Sequence, residues 1–375
     1  MYQPVRYYDY ERREGSNCCC LLFLIGLLSV ASFAVVLTAS SEVLRSPVFS
    51  LLEEAEISLA FNDFIRDYDK SYATDAEMQY RKEIFAKNYK LVKQLNEEYT
   101  TATYEVNFSA DLTDEEFEEQ FLDPAGTNEK CTVARERAWA KPSMAIDPDP
   151  NLDINWVSKG KVSPIKNQGS CGSCWTFAVI SVVESIYAIR ENKLLQFSEQ
   201  QIVDCCRRLY SPECQISDGC KGGLVSEGFQ YSINKGVMLQ RDYNYTAKDE
   251  VCKYREHLTV FKPDEYVGIN ERDLRMMEKT VLTRPIAVGI SATWPVFRFY
   301  KEGIIERGCE ETPLNHGVAI VGASNEKGIP YWLVRNSWGN TWGDKGYVKL
   351  ARTLNFYPTG VCGIAACAEY IRYKE

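Results

Sequence analysis

The distribution of cysteine narrows the possible folds of this chain more than any other feature. Eleven of the fourteen cysteines lie beyond residue 130. Cytosolic proteins are kept reduced and rarely carry so many thiols, so the pattern predicts disulfides and an oxidising compartment. At 375 residues, 45% of them hydrophobic, the chain has room for one large or two smaller units with real cores.

Histidine and net charge limit the chemistry further. The chain has only two histidines, His257 and His316, so a reaction that needs an imidazole has two candidates. His257 lies in a charged stretch, reads as solvent-exposed and is assigned no role. The net charge of −9 argues against nucleic acid as a partner, since phosphate binding needs a basic surface.

An uncharged run of seventeen residues, 21–37, is long enough for a short transmembrane helix. Positive charge lies mainly ahead of this run, which places the N-terminus in the cytosol. We therefore predict a type II signal anchor, with residues 1–20 as a cytosolic tail and 21–39 as the membrane segment. A cleaved signal peptide ending near Thr38 and Ser40 is the alternative. Three cysteines at the cytosolic edge could be palmitoylated or plain thiols: Cys18, Cys19 and Cys20.

Residues 51–98 contain neither glycine nor proline and show helical periodicity. The second of two predicted helices carries side chains at steps of four and three residues, which share one stripe. These are Glu77, Arg81, Phe85, Asn88, Val92 and Asn96. Periodicity alone predicts only a helical hairpin. Prolines among polar residues between 124 and 150 then indicate an extended linker open to proteolysis.

Residues 168–175, Gln-Gly-Ser-Cys-Gly-Ser-Cys-Trp, open an apolar run of helical length, Phe177–Ile189. Cys174 is therefore expected at the N-terminus of a buried helix. There the helix dipole and free backbone N–H groups favour the thiolate, which is the nucleophilic form of cysteine. His316 and Asn336 follow 142 and 162 residues later, each in a segment that reads as a strand ending in glycine, 314–322 and 331–339.

Together these segments resemble the papain-like cysteine proteases, over roughly residues 55 to 372. The stripe on the second helix resembles the motif of that family's inhibitory propeptide, with Val92 as a conservative departure. A second propeptide motif keeps Asn107 and Asp111 but has Glu105 and Ser109 where glycine and phenylalanine are usual. The stretch 184–205 looks most like cathepsin L-like enzymes of protozoan, apicomplexan parasites.

The resemblance implies an α+β fold, with a helical half that carries Cys174 packed against a β-barrel half that carries His316 and Asn336. A helical inhibitory propeptide and one transmembrane helix would precede it. The implied segments are a stalk and propeptide at 40–123, a linker with the maturation cleavage at 124–150, and a peptidase domain at 151–375. Cleavage is expected near residues 145–151.

The family's mechanism implies specific roles. Cys174 and His316 would form a thiolate–imidazolium pair, and His316 would then act as general acid and base. Asn336 would hold the other imidazole nitrogen, with Trp338 shielding it. Gln168 would donate to the developing oxyanion together with the backbone N–H of Cys174.

The resemblance also implies three disulfides, Cys171–Cys220, Cys205–Cys252 and Cys309–Cys362. Cys206 and Cys214 remain inside an insertion and could staple that loop to itself or stay as free thiols. The expected specificity pocket contains only apolar or small residues, so we predict a hydrophobic side chain at the second position before the cut, with extra room at Gly289. The pocket residues are Gly222, Gly223, Leu224, Val225, Gly289, Leu314 and Cys367 at its floor, where a buried free thiol would also explain Cys367.

Other uses of these residues remain open. Cys171 and Cys174 have the spacing of a redox pair, but no βαβ pattern surrounds them, and a zinc site would need nearly all its ligands from cysteine. Neither explains Gln168, His316 and Asn336 together, so we predict no metal and no cofactor. An exopeptidase, with the insertion blocking one end of the cleft, and an inactive binding relative are the functional alternatives.

The resulting prediction is a cysteine endopeptidase made as an autoinhibited, membrane-anchored zymogen, monomeric once mature. Its partners would be peptide and protein substrates, its own propeptide and the membrane. We expect it in the lumen of an acidic endolysosomal or vacuolar compartment, or secreted after processing. Acidic residues between Asp111 and Glu119 predict that low pH loosens the propeptide.

Overall fold

A computed structural model describes residues 47–123 and 147–373. The chain divides into two compact units, residues 1–60 and 61–375. The predicted cytosolic tail and anchor, and most of the predicted linker, lie outside the described residues. Among the residues that are described, none of the helices combines the length and apolar character needed to cross a bilayer.

The propeptide is a chain of helices joined by tight caps. Helix α1 spans Pro47–Asp67, α2 spans Asp75–Glu98, and α3 spans Asp114–Phe121, with the short strand β1 at Ala102–Tyr104. Thr74 caps α2 through its side chain, and Thr113 forms a capping box with Glu116 at the start of α3. Such caps satisfy backbone N–H groups that a helix leaves unpaired, which fixes where both helices begin.

The predicted stripe on α2 is the face by which this helix packs. Phe85, Asn88 and Val92 are buried, and the Phe85 ring lies 5.3 Å from the ring of Phe61. The Asn88 amide donates to the carbonyl oxygens of Ala110 and Leu112, at 2.9 and 3.1 Å. A buried amide at this position therefore ties the helix to the turn before α3.

The helical half of the predicted peptidase domain is built around α4, Cys174–Glu191, which is buried along most of its length. Helices α5, Glu199–Cys205, and α6, Val225–Lys235, pack beside it. The ammonium of Lys166 lies 2.7 Å from Glu184 and 2.6 Å from Glu199, so one buried cation joins α4 to α5. Buried carboxylates need such a partner.

The other half is a nine-stranded sheet in the order β1-β7-β10-β9-β8-β6-β11-β5, with β2 paired to β8. Its neighbours are antiparallel except for β7 and β10, which are parallel. Two short helices, α7 at Leu274–Val281 and α8 at Pro295–Arg298, lie between strands, and β3 and β4 form a separate pair. The strand bounds are Ile154–Asn155, Val237–Met238, Thr259–Phe261, Glu265–Ile269, Ile286–Ile290, Tyr300–Ile305, His316–Glu326, Ile329–Arg335, Tyr347–Ala351 and Ala368–Arg372 for β2 to β11.

The expected β-barrel is not what the described strands form. The strand order runs from β1 at one edge to β5 at the other, and these two edge strands do not pair with each other. At the edge opposite β1, strand β5 lies against helix α6. The described strands of this half therefore form a sheet with a helical half packed beside it, and no closed barrel is shown among them.

One edge of this sheet is completed by the propeptide. Strand β1 pairs antiparallel with β7, with Ala102 opposite Gly303. Gly303 has a φ of +88°, and a Cβ there would stand 2.4 Å from the carbonyl oxygen of Thr101. Only glycine allows so close an approach, so the sequence of β7 is shaped to receive the propeptide strand.

Candidate active site

Cys174 is the first residue of α4, and its side chain is 1% exposed. It is the only free cysteine within the described part of the chain. The preceding residue, Ser173, caps the helix without a side-chain hydrogen bond, which leaves the backbone N–H groups of the first turn directed at the cysteine. The structure thus places this thiol at a helix N-terminus, as predicted.

His316 opens strand β8 and is brought against the start of α4 by the next residue. A Cβ on Gly317 would lie 3.1 and 3.2 Å from the backbone of Trp175, so the strand can pass the helix this closely only at glycine. His316 is 1% exposed and lines the same cavity as Cys174. Two segments 142 residues apart thus meet at the cleft.

Asn336 follows strand β9 and fixes the orientation of the imidazole. Its Oδ1 lies 2.7 Å from Nε2 of His316 and also accepts from the backbone N–H of Ser337. An amide oxygen only accepts, so Nε2 carries the proton and Nδ1 keeps its lone pair. The Trp338 ring, 4.8 Å from the imidazole ring, covers this pair.

Neither Cys174 nor His316 is charged in this form. Nδ1 of His316 is buried and has no hydrogen-bond partner among the described residues, so the expected thiolate–imidazolium hydrogen bond is not formed. Burial raises the pKa of the Cys174 thiol to about 12, with a smaller contribution from the carboxylate of Asp123, and backbone hydrogen bonds oppose it. Burial lowers the pKa of His316 to about 4. Desolvation outweighs the helix terminus here because the propeptide covers the cleft.

Gln168 lies beside Cys174 with its amide held in a fixed orientation. Ser337 Oγ donates to Oε1 of Gln168 at 2.6 Å, and the side chain of Gln168 is fully buried. Its Nε2 donates to the carbonyl oxygen of Phe121, at 2.9 Å, and to that of Cys171. A peptide carbonyl of the propeptide thus occupies the donor that was predicted to stabilise an oxyanion.

The propeptide continues from Phe121 through the cleft. The backbone N–H of Asp123 donates to the carbonyl of Asn315 at 2.7 Å, and its carboxylate accepts from the N–H of Gly223 at 3.3 Å. A Cβ on Gly222 would stand 1.8 Å from that carboxylate, so this glycine also makes room for the propeptide. On the other side of Phe121, the rings of Phe117 and Trp338 are 5.3 Å apart.

Comparisons with known proteins agree with this geometry. The model of the papain family of cysteine proteases matches residues 150–372. This chain belongs to that family. The model of the cathepsin propeptide inhibitor domain (I29) matches residues 61–117, so the chain is a protease proform with an autoinhibitory propeptide.

Relatives of this protease cover most of its length. The probable cysteine protease RD21C of Arabidopsis thaliana is 35% identical over 93% of this chain and 73% of its own. Mouse procathepsin L is 33% identical over 87% of this chain and 94% of its own. The structure of digestive procathepsin L 3 from Tenebrio molitor larval midgut aligns with a TM-score of 0.72 at 28% identity, covering 84% of this chain and 99% of that one. These relatives come from plants and animals, so they give no support for the narrower likeness to protozoan enzymes.

Eight cysteines pair with each other within the described part of the protease: Cys171–Cys220, Cys205–Cys252, Cys206–Cys214 and Cys309–Cys362. Cys171 is thus not a redox partner of Cys174. In the insertion stapled by Cys206–Cys214, the Glu227 carboxylate accepts from the backbone N–H groups of Gln215, Ile216 and Ser217. No group of described residues has the makeup of a metal site.

The pocket beside the protease's nucleophile differs from the expected one in three respects. Gly223, Leu224, Val225, Gly289 and Cys367 do line it, whereas Gly222 and Leu314 are not among the lining residues, and Leu314 is buried next to Gly363. Cys367 is disulfide-bonded, so it is not the free thiol considered above.

Glu369 also lines this pocket and is 3% exposed, so the lining is not made only of apolar or small residues. Sequence reasoning missed this carboxylate, although the alternation of strand β11 places residues 367 and 369 on the same face and could have revealed it.

Proposed function

We propose that Cys174 is the nucleophile of an endopeptidase, with His316 as its general acid and base, Asn336 as the residue that orients the imidazole, and Gln168 as an oxyanion donor. The observation that carries this is the hydrogen bond from Gln168 Nε2 to the Phe121 carbonyl, 2.9 Å long, beside the buried thiol. A cleft that holds one peptide carbonyl at this donor can hold the carbonyl of a substrate in the same way.

In the proposed reaction, Nδ1 of His316 takes the thiol proton once the propeptide has left. The thiolate sulfur attacks the substrate carbonyl carbon, and the resulting oxyanion accepts from Gln168 and from the backbone N–H of Cys174. The imidazolium gives its proton to the leaving amine as the C–N bond breaks. Water, deprotonated by the same nitrogen, then cleaves the thioester and restores the thiol.

The direction of the propeptide supports its role as an inhibitor that is not itself cut. From Phe117 to Phe121 to Asp123 it runs from Trp338 toward Gly223 and the pocket. A substrate whose second residue before the cut enters that pocket runs the opposite way. The scissile geometry is therefore reversed in the bound propeptide.

For specificity we propose a hydrophobic residue at the second position before the cut, as the apolar lining by Leu224, Val225 and Ala287 favours.

We also propose, on the run 21–37 alone, that the precursor is a type II membrane protein whose protease domain faces an acidic lumen, or is secreted after processing. Protection of the protease domain, but not of an N-terminal tag, in protease-treated microsomes tests this orientation. Digestion of both, or of neither, would contradict it.

The decisive experiment for the catalytic assignment is incubation of purified precursor at acid pH, with N-terminal sequencing of the product and a Cys174→Ala control. We expect a new N-terminus near residues 145–151 in the wild type only. Activity on peptides blocked at both ends distinguishes an endopeptidase from an exopeptidase. An uncleaved Cys174→Ala precursor that nonetheless hydrolyses peptides would refute the role of Cys174.

A further inference from the structure

Arg298, the last residue of α8, belongs to the protease domain, but the hydrogen-bond partners of its guanidinium all lie in the propeptide. Its guanidinium donates four hydrogen bonds: to Oγ and the carbonyl of Ser109, at 3.0 and 2.6 Å, to the carbonyl of Leu112 at 2.8 Å, and to the carboxylate of Asp114 at 2.8 Å. The Phe117 ring covers it at 4.5 Å, and the side chain is 1% exposed. Ser109 is one of the two residues that depart from the family's second propeptide motif, and its small side chain is one of the acceptors.

Maturation removes every one of these partners at once. Among the described residues of the protease domain, none forms a hydrogen bond or ion pair with the guanidinium; the ring of Phe299 lies 4.8 Å away and offers no hydrogen-bond acceptor. A guanidinium without acceptors is a strong binding group for a carboxylate, because its N–H groups match the two oxygens. In the precursor, Asp114 already plays that part.

The position of Arg298 relative to the cleft follows from the path of the propeptide. Phe121 stands where the scissile carbonyl goes, and Asp123 lies toward Gly223 and the specificity pocket. Phe117 lies one helical turn before Phe121, on the Trp338 side of the cleft, and its ring contacts Arg298. One turn of about 5.4 Å and the contact with Phe117 place the guanidinium roughly 10 Å beyond the scissile carbonyl, on the leaving-group side. That is about the length of two or three extended residues.

We propose that Arg298 is a specificity residue of the mature enzyme, which binds an acidic side chain of the substrate at the second or third position after the cut. This rests on the catalytic assignment proposed above, because the location of the cut bond defines those positions. The propeptide would thus both inhibit the enzyme and mask one of its substrate contacts.

The test uses mature enzyme and internally quenched peptides that differ only at the second and third positions after the cut, which carry Asp, Asn or Lys. We expect kcat/KM to be about fivefold higher for Asp than for Asn, mainly through KM, and the ratio to shrink with rising salt. Arg298→Gln should bring the ratio close to one. Lys301→Gln is the matched control, since Lys301 also pairs with the propeptide, through Glu105 at 2.6 Å, and loses the same charge.

Equal rates for Asp and Asn peptides in the wild type would overturn the proposal, as would an unchanged ratio in Arg298→Gln. Loss of the ratio in Lys301→Gln alone would assign the preference to Lys301 instead. If Arg298→Gln does not mature, the wild-type ratio and its dependence on salt still decide. Failure to cleave any peptide, with Cys174 unreactive, would refute the catalytic assignment and not the preference.

Discussion

The propeptide buries two polar sites of the protease domain, the Cys174–His316 cavity and the Arg298 guanidinium, with opposite consequences for charge. At the cavity, burial drives both groups to their neutral forms. Burial also lowers the pKa of Arg298, to about 10, yet four acceptors surround it and it stays charged at neutral pH. The same desolvation therefore neutralises Cys174 and His316, which have few hydrogen-bond partners and ordinary pKa values near neutrality. Arg298 keeps its charge because its ordinary pKa is far higher, and it anchors the propeptide to the protease domain.

The largest expected effect concerns the reactivity of the thiol. Since the pKa of Cys174 is raised to about 12 under the propeptide, alkylation by iodoacetamide at pH 7.5 should be more than about 100-fold slower in the precursor than in the mature enzyme. Rates measured by mass spectrometry at Cys174, with Cys174→Ala as the blank, check this. Equal rates in the two forms would mean that the propeptide does not suppress the thiolate.

The second prediction tests Arg298 as an anchor. Arg298→Ala in the precursor removes the four hydrogen bonds of a buried guanidinium, and we expect it to destabilise the precursor by about 3 kcal/mol. Lys301→Ala, which breaks a half-exposed pair with Glu105, should cost less than about 1 kcal/mol. Chemical unfolding of each precursor at neutral pH measures both. Similar losses in the two variants would make Arg298 an ordinary surface charge.

The third and smallest effect concerns pH. The pKa of His316 is lowered to about 4 in the covered cleft, below its ordinary value of 6.5, so the unfolded chain binds a proton in a range where the precursor does not. The stability contributed is complete above about pH 6.5 and is lost as the pH falls toward 4, with a loss of about 2 kcal/mol reached near pH 5.

Unfolding of the precursor at several pH values between 7 and 4 checks this. His316→Asn should flatten the dependence, and His257→Asn, at the exposed second histidine, should not. A dependence that survives in His316→Asn would place the acid trigger elsewhere, for example at the carboxylates between Asp111 and Glu119. The Arg298 anchor should contribute nothing in this window, because arginine stays charged throughout.

Local pattern predicted the parts of the site that depend on one element. The apolar run after Cys174 predicted a buried helix with the thiol at its start, and the stripe from Glu77 to Asn96 predicted the packing face of α2. Both follow from the period of one helix.

Contacts between distant segments were harder to predict. The thiolate expected from the helix terminus is absent because burial by residues some fifty positions away outweighs it. Arg298 and Ser109 are separated by 189 residues, and nothing in the neighbourhood of either announces the other. The described strands do not show the expected closed barrel, and closure depends on pairing between end strands that no single strand encodes. The cysteine count could have indicated that Cys367 forms a disulfide. Without Cys174, an even number of cysteines remains after residue 130, so all of them can pair.

The neutral state of the buried Cys174 thiol affects how long the precursor resists oxidation. Peroxides attack the ionised sulfur far faster than the protonated one, so a cysteine without charge resists sulfenic and sulfonic acid formation. In a compartment oxidising enough to make the four disulfides, the uncut chain is a durable storage form. Oxidation of Cys174 becomes fast once the propeptide has left, and this limits how long each activated molecule remains active.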